Sequence, residues 1–98
     1  MICLSATEMD TIREIIDRLL PDCRVLLFGS RYTGTDKKYA DVDLAIICDA
    51  GLCMHAYASL TDAFAVSDLA YRVDIVDYNA VSLEFRQIID AGHAVIYP

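Results

Sequence analysis

Positive charge is scarce in this chain: 8 lysines and arginines stand against 15 aspartates and glutamates, a formal net charge of -7 over 98 residues. Such a field repels polyphosphate backbones and supplies no basic stripe, which argues against direct binding of DNA or RNA. A small nucleotide is a different matter, because bound divalent metal would invert the local charge. Metal-binding cysteine spacing is also lacking. Cys3, Cys23, Cys48 and Cys53 form no C-x-x-C pair, and with only His55 and His93 beside them they build no recognisable zinc framework. Reduced structural thiols are the expectation. No apolar run approaches the ~18 residues of a membrane span. The first residues, Met1 to Leu4, meet Glu8 and Asp10 without the basic flank and apolar stretch of a signal peptide. A cytoplasmic protein without membrane association is expected. Repeats, low-complexity tracts and linkers are missing too, and a chain of this length buries one core, so a single domain over residues 1–98 is expected. Apolar residues are plentiful at 56%, above the ~45–50% usual for soluble domains, which leaves room for an apolar partner surface.

The order of elements can be read from periodicity. Ser5, Ala6, Thr7 and Glu8 fit a capping box, and Met9, Ile12, Ile15, Ile16, Leu19 and Leu20 recur at helical spacing until Pro21. Residues 24–28 are a short β-prone apolar run that Gly29 and Ser30 end in a tight turn. Residues 31–40 are a polar loop carrying Gly34, Lys37 and Lys38, with room for one helical turn after Ser30. Residues 41–47 alternate, with Asp41, Asp43 and Ala45 on one side and Val42, Leu44 and Ile46 on the other. An Ala-rich stretch over 52–69 places Leu52, Ala56, Leu60, Ala63 and Phe64 at helical spacing. A third strand over 72–78, a short helix over 82–91 stopped by Gly92, and a last strand over 94–97 complete the order. The prediction is an α/β fold of the α+β kind, a small mixed β-sheet packed with helices.

The chemistry-bearing residues collect at two of these turns. Carboxylates at i and i+2 on a strand project to one side, so Asp41 and Asp43 can both reach a pair of divalent ions. Two such ions, ~3.5–4 Å apart, would hold a triphosphate, lower the pKa of an attacking hydroxyl and neutralise the leaving pyrophosphate. Mg²⁺ suits a few carboxylates plus phosphate oxygens. Asp74 is the candidate for a third carboxylate that completes the site and accepts the nucleophile's proton, since an acid amid the apolar residues of its strand demands a reason. Gly29 lets the backbone approach a phosphate, and Ser30 offers a hydroxyl with exposed N–H donors. Arg31 stands between two roles, a charge-assisted phosphate ligand and a brace for Asp41 or its loop. Lys37 and Lys38 are a solvated loop that could also help receive a nucleotide. Asp77 faces away from Asp74 on a regular strand and is read as structural or capping. His55 and His93 are read as packing or surface residues. Tyr57, Tyr71 and Tyr78 offer rings that could stack on a base or fill core and interface.

Phe28, Gly29, Ser30, Arg31 and Gly34, followed by the segment from Ala40 to Ala45, resemble the minimal nucleotidyltransferases of the DNA polymerase beta superfamily, whose hallmark is G-S, ten residues, then D-x-D. The segment from Arg72 to Asp77 is similar to that family's third-carboxylate strand, and 85–97 to its closing helix and strand. The resemblance implies a metal triad of Asp41, Asp43 and Asp74 and a phosphate turn at Gly29 and Ser30. It departs at Ala40, where many relatives carry Ser, so a loop hydrogen bond is in doubt but no metal ligand is. Small members of the family commonly act as the antitoxin of a HEPN-domain toxin, transferring AMP from ATP to one of its tyrosines. The resemblance therefore implies Mg²⁺, ATP and a HEPN-domain partner. An acidic, apolar-rich domain suits docking onto a basic RNA-binding protein.

Three readings follow. The first is an enzyme transferring AMP to a protein hydroxyl. The second is a binding module that masks the toxin sterically. The third is a free-standing transferase acting on a small molecule, for which a homo-oligomer would have to build the acceptor pocket between chains.

Overall fold

The structure, a computed structural model, describes residues 2–34 and 40–98. Lys37 and Lys38 lie outside the described residues.

Helix α1, Ala6–Leu19, begins as its sequence dictates. The Glu8 N–H donates to the Ser5 hydroxyl at 3.1 Å, and the Ser5 N–H donates to Glu8 Oε1 at 2.8 Å, satisfying two donors that a helix start leaves orphaned. Met9, Ile12, Ile15 and Ile16 are its buried face. Strand β1, Arg24–Phe28, leads through Gly29 into a single turn of helix, α2, Ser30–Thr33. Strand β2, Val42–Ile47, helix α3, Met54–Ala65, strand β3, Val73–Asp77, helix α4, Leu83–Ala91, and strand β4, His93–Tyr97, follow.

Helix α3 is shorter than its apolar periodicity predicts. Cys53 starts it, its Sγ accepting the Ala56 N–H. At the other end the Ser67 hydroxyl donates to the Phe64 carbonyl at 2.7 Å and accepts the Leu69 N–H at 3.3 Å, drawing the chain out of the helix.

The four strands lie in the order β3-β2-β1-β4. Strand β1 is antiparallel to both β2 and β4, while β2 and β3 are parallel, so the sheet is mixed as expected. A parallel pair needs a crossover, and α3 is that crossover. The pleat sorts side chains onto two faces. Val25, Leu27, Val42, Leu44, Ile46 and Ile75 face the buried residues of α1 and α3, including Ile12, Ile16, Leu60 and Phe64. Ile12, Ile16, Leu27, Leu44 and Ile46 are fully buried, each stabilising the fold by about 1.5–3 kcal/mol. On the opposite face Leu26, Phe28 and Ala45 pack under Ile89 of α4. That second face is thinner, and on β2 and β3 it continues into Asp43 and Asp74.

The expectation of four reduced thiols is corrected. Cys23 and Cys48 form a disulfide. The register pairs Arg24 with Ile47, so the two cysteines just outside that pair face each other, Cα to Cα 4.6 Å. They are 25 residues apart in the chain, and only the antiparallel pairing brings them together. Among the described residues no helix is long and apolar enough to cross a membrane.

Candidate active site

The site forms where β1 ends and β2 and β3 begin. After Phe28 the chain turns at Gly29, whose φ of +76° lies in the left-handed region that glycine tolerates. Glycine is required for a second reason: a Cβ there would fall onto the carboxylate of Asp43. This close approach follows from the register, which pairs Phe28 with Asp43 across the antiparallel strands.

The parallel register pairs Asp43 with Asp74 on β3, and the Val42 N–H donates to the Arg72 carbonyl at 2.9 Å to fix it. Asp43 is thus flanked by the glycine turn on one side and by Asp74 on the other. Asp41 stands one residue before β2 and shares Asp43's side of the alternation. The electrostatics record this crowding. Burial pushes the Asp43 carboxyl up from 3.8 to about 6, with the Asp74 and then the Asp41 charge adding to it. Asp74 remains 43 % exposed and lies 3.4 Å from the Nε of Arg72, itself 78 % exposed, a surface pair of little energetic weight.

Ser30 opens α2 directly after the turn. Arg31, expected as a phosphate ligand or a brace, is 4 % exposed. Its Nε and Nη2 donate to the Ala40 carbonyl at 3.2 and 3.0 Å, and its Nη1 donates to the Cys3 carbonyl at 3.1 Å. The flat guanidinium lies 3.8 Å over the ring of Tyr71. These contacts are those of a brace holding the residue before Asp41. Ala40 is held through its backbone carbonyl.

The remaining candidates fall where the sequence placed them. Asp77 accepts the Leu52 N–H and the Asn79 N–H, both at 3.0 Å, and serves as a turn-binding acid. The His93 ring contacts the Ile89 carbonyl through Nδ1 at 2.9 Å, and His55 is exposed. Tyr78 packs beside the second face and donates to Asp90 at 2.7 Å.

Three carboxylates with only oxygen to offer are a hard donor set of the kind Mg²⁺ takes. Burial raises Asp43 most, and the repulsion from Asp74 and Asp41 that adds to it would be relieved by a divalent cation. Among the described residues no three such donors are gathered into a ready cluster. One further feature, hinted at in the sequence only by the unassigned rings of Tyr57 and Tyr71, is a cleft bordering Asp74 and walled by Tyr57, Thr61, Ala65, Tyr71 and Arg72.

Known proteins that resemble this chain identify its family. Residues 11–98 match the family described as Polymerase beta, Nucleotidyltransferase. The chain is 42% identical over 93 residues, 95% of its length and 82% of the relative's, to the Probable protein adenylyltransferase MntA of Haemophilus influenzae. It superposes on a toxin-antitoxin crystallised with AMP-PNP at a TM-score of 0.79 and 26% identity, covering 91% of this chain and 72% of that one. A tri-AMPylated Shewanella oneidensis HEPN toxin in complex with MNT antitoxin gives a TM-score of 0.70 at 23% identity, over 91% of this chain and 68% of that one, a likeness of fold. With a glycine-serine turn set against Asp43 and a second carboxylate paired to it, this chain belongs to the Polymerase beta nucleotidyltransferase family.

Proposed function

We propose that this chain is one domain working as a Mg²⁺-dependent protein adenylyltransferase, moving AMP from ATP to a tyrosine hydroxyl of a HEPN-domain toxin and so acting as its antitoxin. The observation that carries the reading is Asp43 set between Gly29 and Asp74, with its carboxyl raised to about 6 by burial and by its acidic neighbours. The name of the Haemophilus influenzae relative and the AMP-PNP in the similar toxin-antitoxin support it.

In this reading Gly29 keeps the turn open for phosphate, while the Ser30 hydroxyl and the first amides of α2 donate to phosphate oxygens. Asp41, Asp43 and Asp74 would hold the metal. Bound Mg²⁺ would neutralise triphosphate and pyrophosphate charge and acidify the attacking hydroxyl. Asp74 takes the proton from that hydroxyl as its oxygen bonds to the α-phosphorus and pyrophosphate departs. Arg31 positions the Asp41 loop and touches no reacting atom. A cytoplasmic setting, where ATP is supplied, belongs to this reading.

The test is direct. Purified chain, labelled ATP, Mg²⁺ and the HEPN-domain protein yield labelled partner, and replacing Asp41→Asn together with Asp43→Asn abolishes the label while the two proteins still bind. Labelling that survives both substitutions contradicts the site. A double variant that neutralises the toxin as well as the parent would move the reading to steric masking.

A further inference from the structure

Arg31 is buried, and a guanidinium taken out of water is tolerated only where its donors find partners. Among the described residues those partners belong to segments far apart in the chain. Nε and Nη2 donate to the Ala40 carbonyl, Nη1 donates to the Cys3 carbonyl, and the flat of the group lies over the Tyr71 ring. Three of the segments so joined carry candidate site residues. Arg31 follows Ser30, Ala40 precedes Asp41, and Tyr71 leads through Arg72 into β3 and Asp74. The fourth, at Cys3, carries none.

The bonds of that fourth segment say what it does. Besides accepting from Nη1, Cys3 donates its N–H to the Arg31 carbonyl at 2.7 Å. It therefore grips Arg31 at both its backbone and its side-chain end. Ile2 and Leu4, on either side of Cys3, are half-buried and pack against the larger core cluster, so the grip is anchored to the core. Tyr71 is anchored in the same way. Its ring packs on that cluster, and the next residue, Arg72, accepts the Val42 N–H at 2.9 Å through its carbonyl. Val42 lies between Asp41 and Asp43, so a shift at Tyr71 reaches Asp74 along β3 and the D-x-D pair across the parallel register.

We infer that Cys3, through its backbone, and Tyr71, through its ring, are positioning residues of the transferase, clamping the Arg31 guanidinium so that the segments bearing Asp41 and Asp74 keep one spacing. The inference rests on the adenylyltransferase reading for the reaction that the spacing serves. A planar guanidinium suits this task, since its face stacks while its edge donates. The phosphate turn keeps its shape by other means: the Tyr32 and Thr33 N–H groups donate to the Gly29 carbonyl, and the Gly34 N–H to the Ser30 carbonyl. Loosening the clamp therefore misplaces carboxylates and leaves the turn formed. Its cost belongs in kcat, where a displacement of about 1 Å is worth about 100-fold.

Paired substitutions isolate the two contacts. Tyr71→Leu removes the ring face that Tyr71→Phe keeps, and Cys3→Pro removes the N–H that Cys3→Ala keeps. Tyr71→Leu and Cys3→Pro should each lower kcat for partner labelling at least about tenfold below its conservative counterpart, with the KM for ATP within about twofold. Both losses run through one guanidinium. In an Arg31→Lys background neither substitution should lower kcat by more than about a further twofold. A reading without turnover comes from ¹⁵N spectra of the nucleotide-free chain: Tyr71→Leu should move the Asp41 amide and Cys3→Pro the Asp74 amide, each distant in sequence from the change. Either variant decides alone if the other folds poorly. Losses of kcat that multiply in full with Arg31→Lys, or that Tyr71→Phe and Cys3→Ala share equally, or amides of Asp41 and Asp74 that stay in place, would overturn the inference. A parent chain that labels no partner, with both amides still moving, would defeat the transferase reading and leave the clamp standing.

Discussion

At the scale of the residue, Asp43 shows what burying a carboxylate among acidic neighbours costs the chain. Its carboxyl titrates near 6 in the folded protein against 3.8 for an unperturbed Asp, burial being the largest cause and Asp74 and Asp41 the next. Between those two values the folded chain holds a proton that the unfolded chain has released, so stability falls as pH rises through that window. Above about 6 the penalty is complete. In EDTA, Asp43→Asn should therefore melt several degrees above the parent at about pH 8, with the gap narrowing as the pH is lowered through 6. Calorimetry across that range checks it, and a gap that widens on acidification would contradict the sign. Arg31 makes a second residue-level prediction. Its fork serves two carbonyls and a ring at once, which a lysine cannot reproduce. Arg31→Lys should lower stability by about 2–3 kcal/mol in denaturant melts and reduce kcat by displacing the Asp41 loop, leaving the KM for ATP nearly unchanged. A rise in the KM for ATP alone would restore a phosphate role for Arg31.

Elements were largely legible before any contact was known, because their signals are local. The capping box at Ser5 and Glu8, the apolar spacing of α1 and the alternation on β2 each depend on residues within a few positions of one another. Where the periodicity overran, on α3, the stop came from a serine hydroxyl bonding back to the chain, a competition that apolar spacing does not register. The capping box itself is testable: Ser5→Ala should cost about 1 kcal/mol, seen as a melting point lower by about 4–8 °C, with nucleotide affinity unaffected since α1 packs on the face opposite Asp43 and Asp74.

The whole molecule adds what no element holds alone. Pairing β1 with β2 brings Cys23 to Cys48 and closes a loop of 25 residues. By chain entropy such a closure stabilises the oxidised form by about 3.5 kcal/mol. Reduction with dithiothreitol should lower the melting temperature by about 15–25 °C, and Cys23→Ser should melt with the reduced parent whether or not reductant is present. An unchanged melting temperature on reduction would show that the cross-link adds nothing.

Sequence by itself determined where the residues proposed for the chemistry lie, namely the G-S turn, the D-x-D pair and the later acid, since each is a short pattern with its own local geometry. It also determined the order of helices and strands. Tertiary structure alone decided that Arg31 braces the Ala40 carbonyl and Tyr71, that Cys23 meets Cys48, and that an open cleft adjoins Asp74 at the sheet edge away from Gly29. Those features are contacts between residues distant along the chain, and strand order and register, which no local pattern encodes, bring them into being.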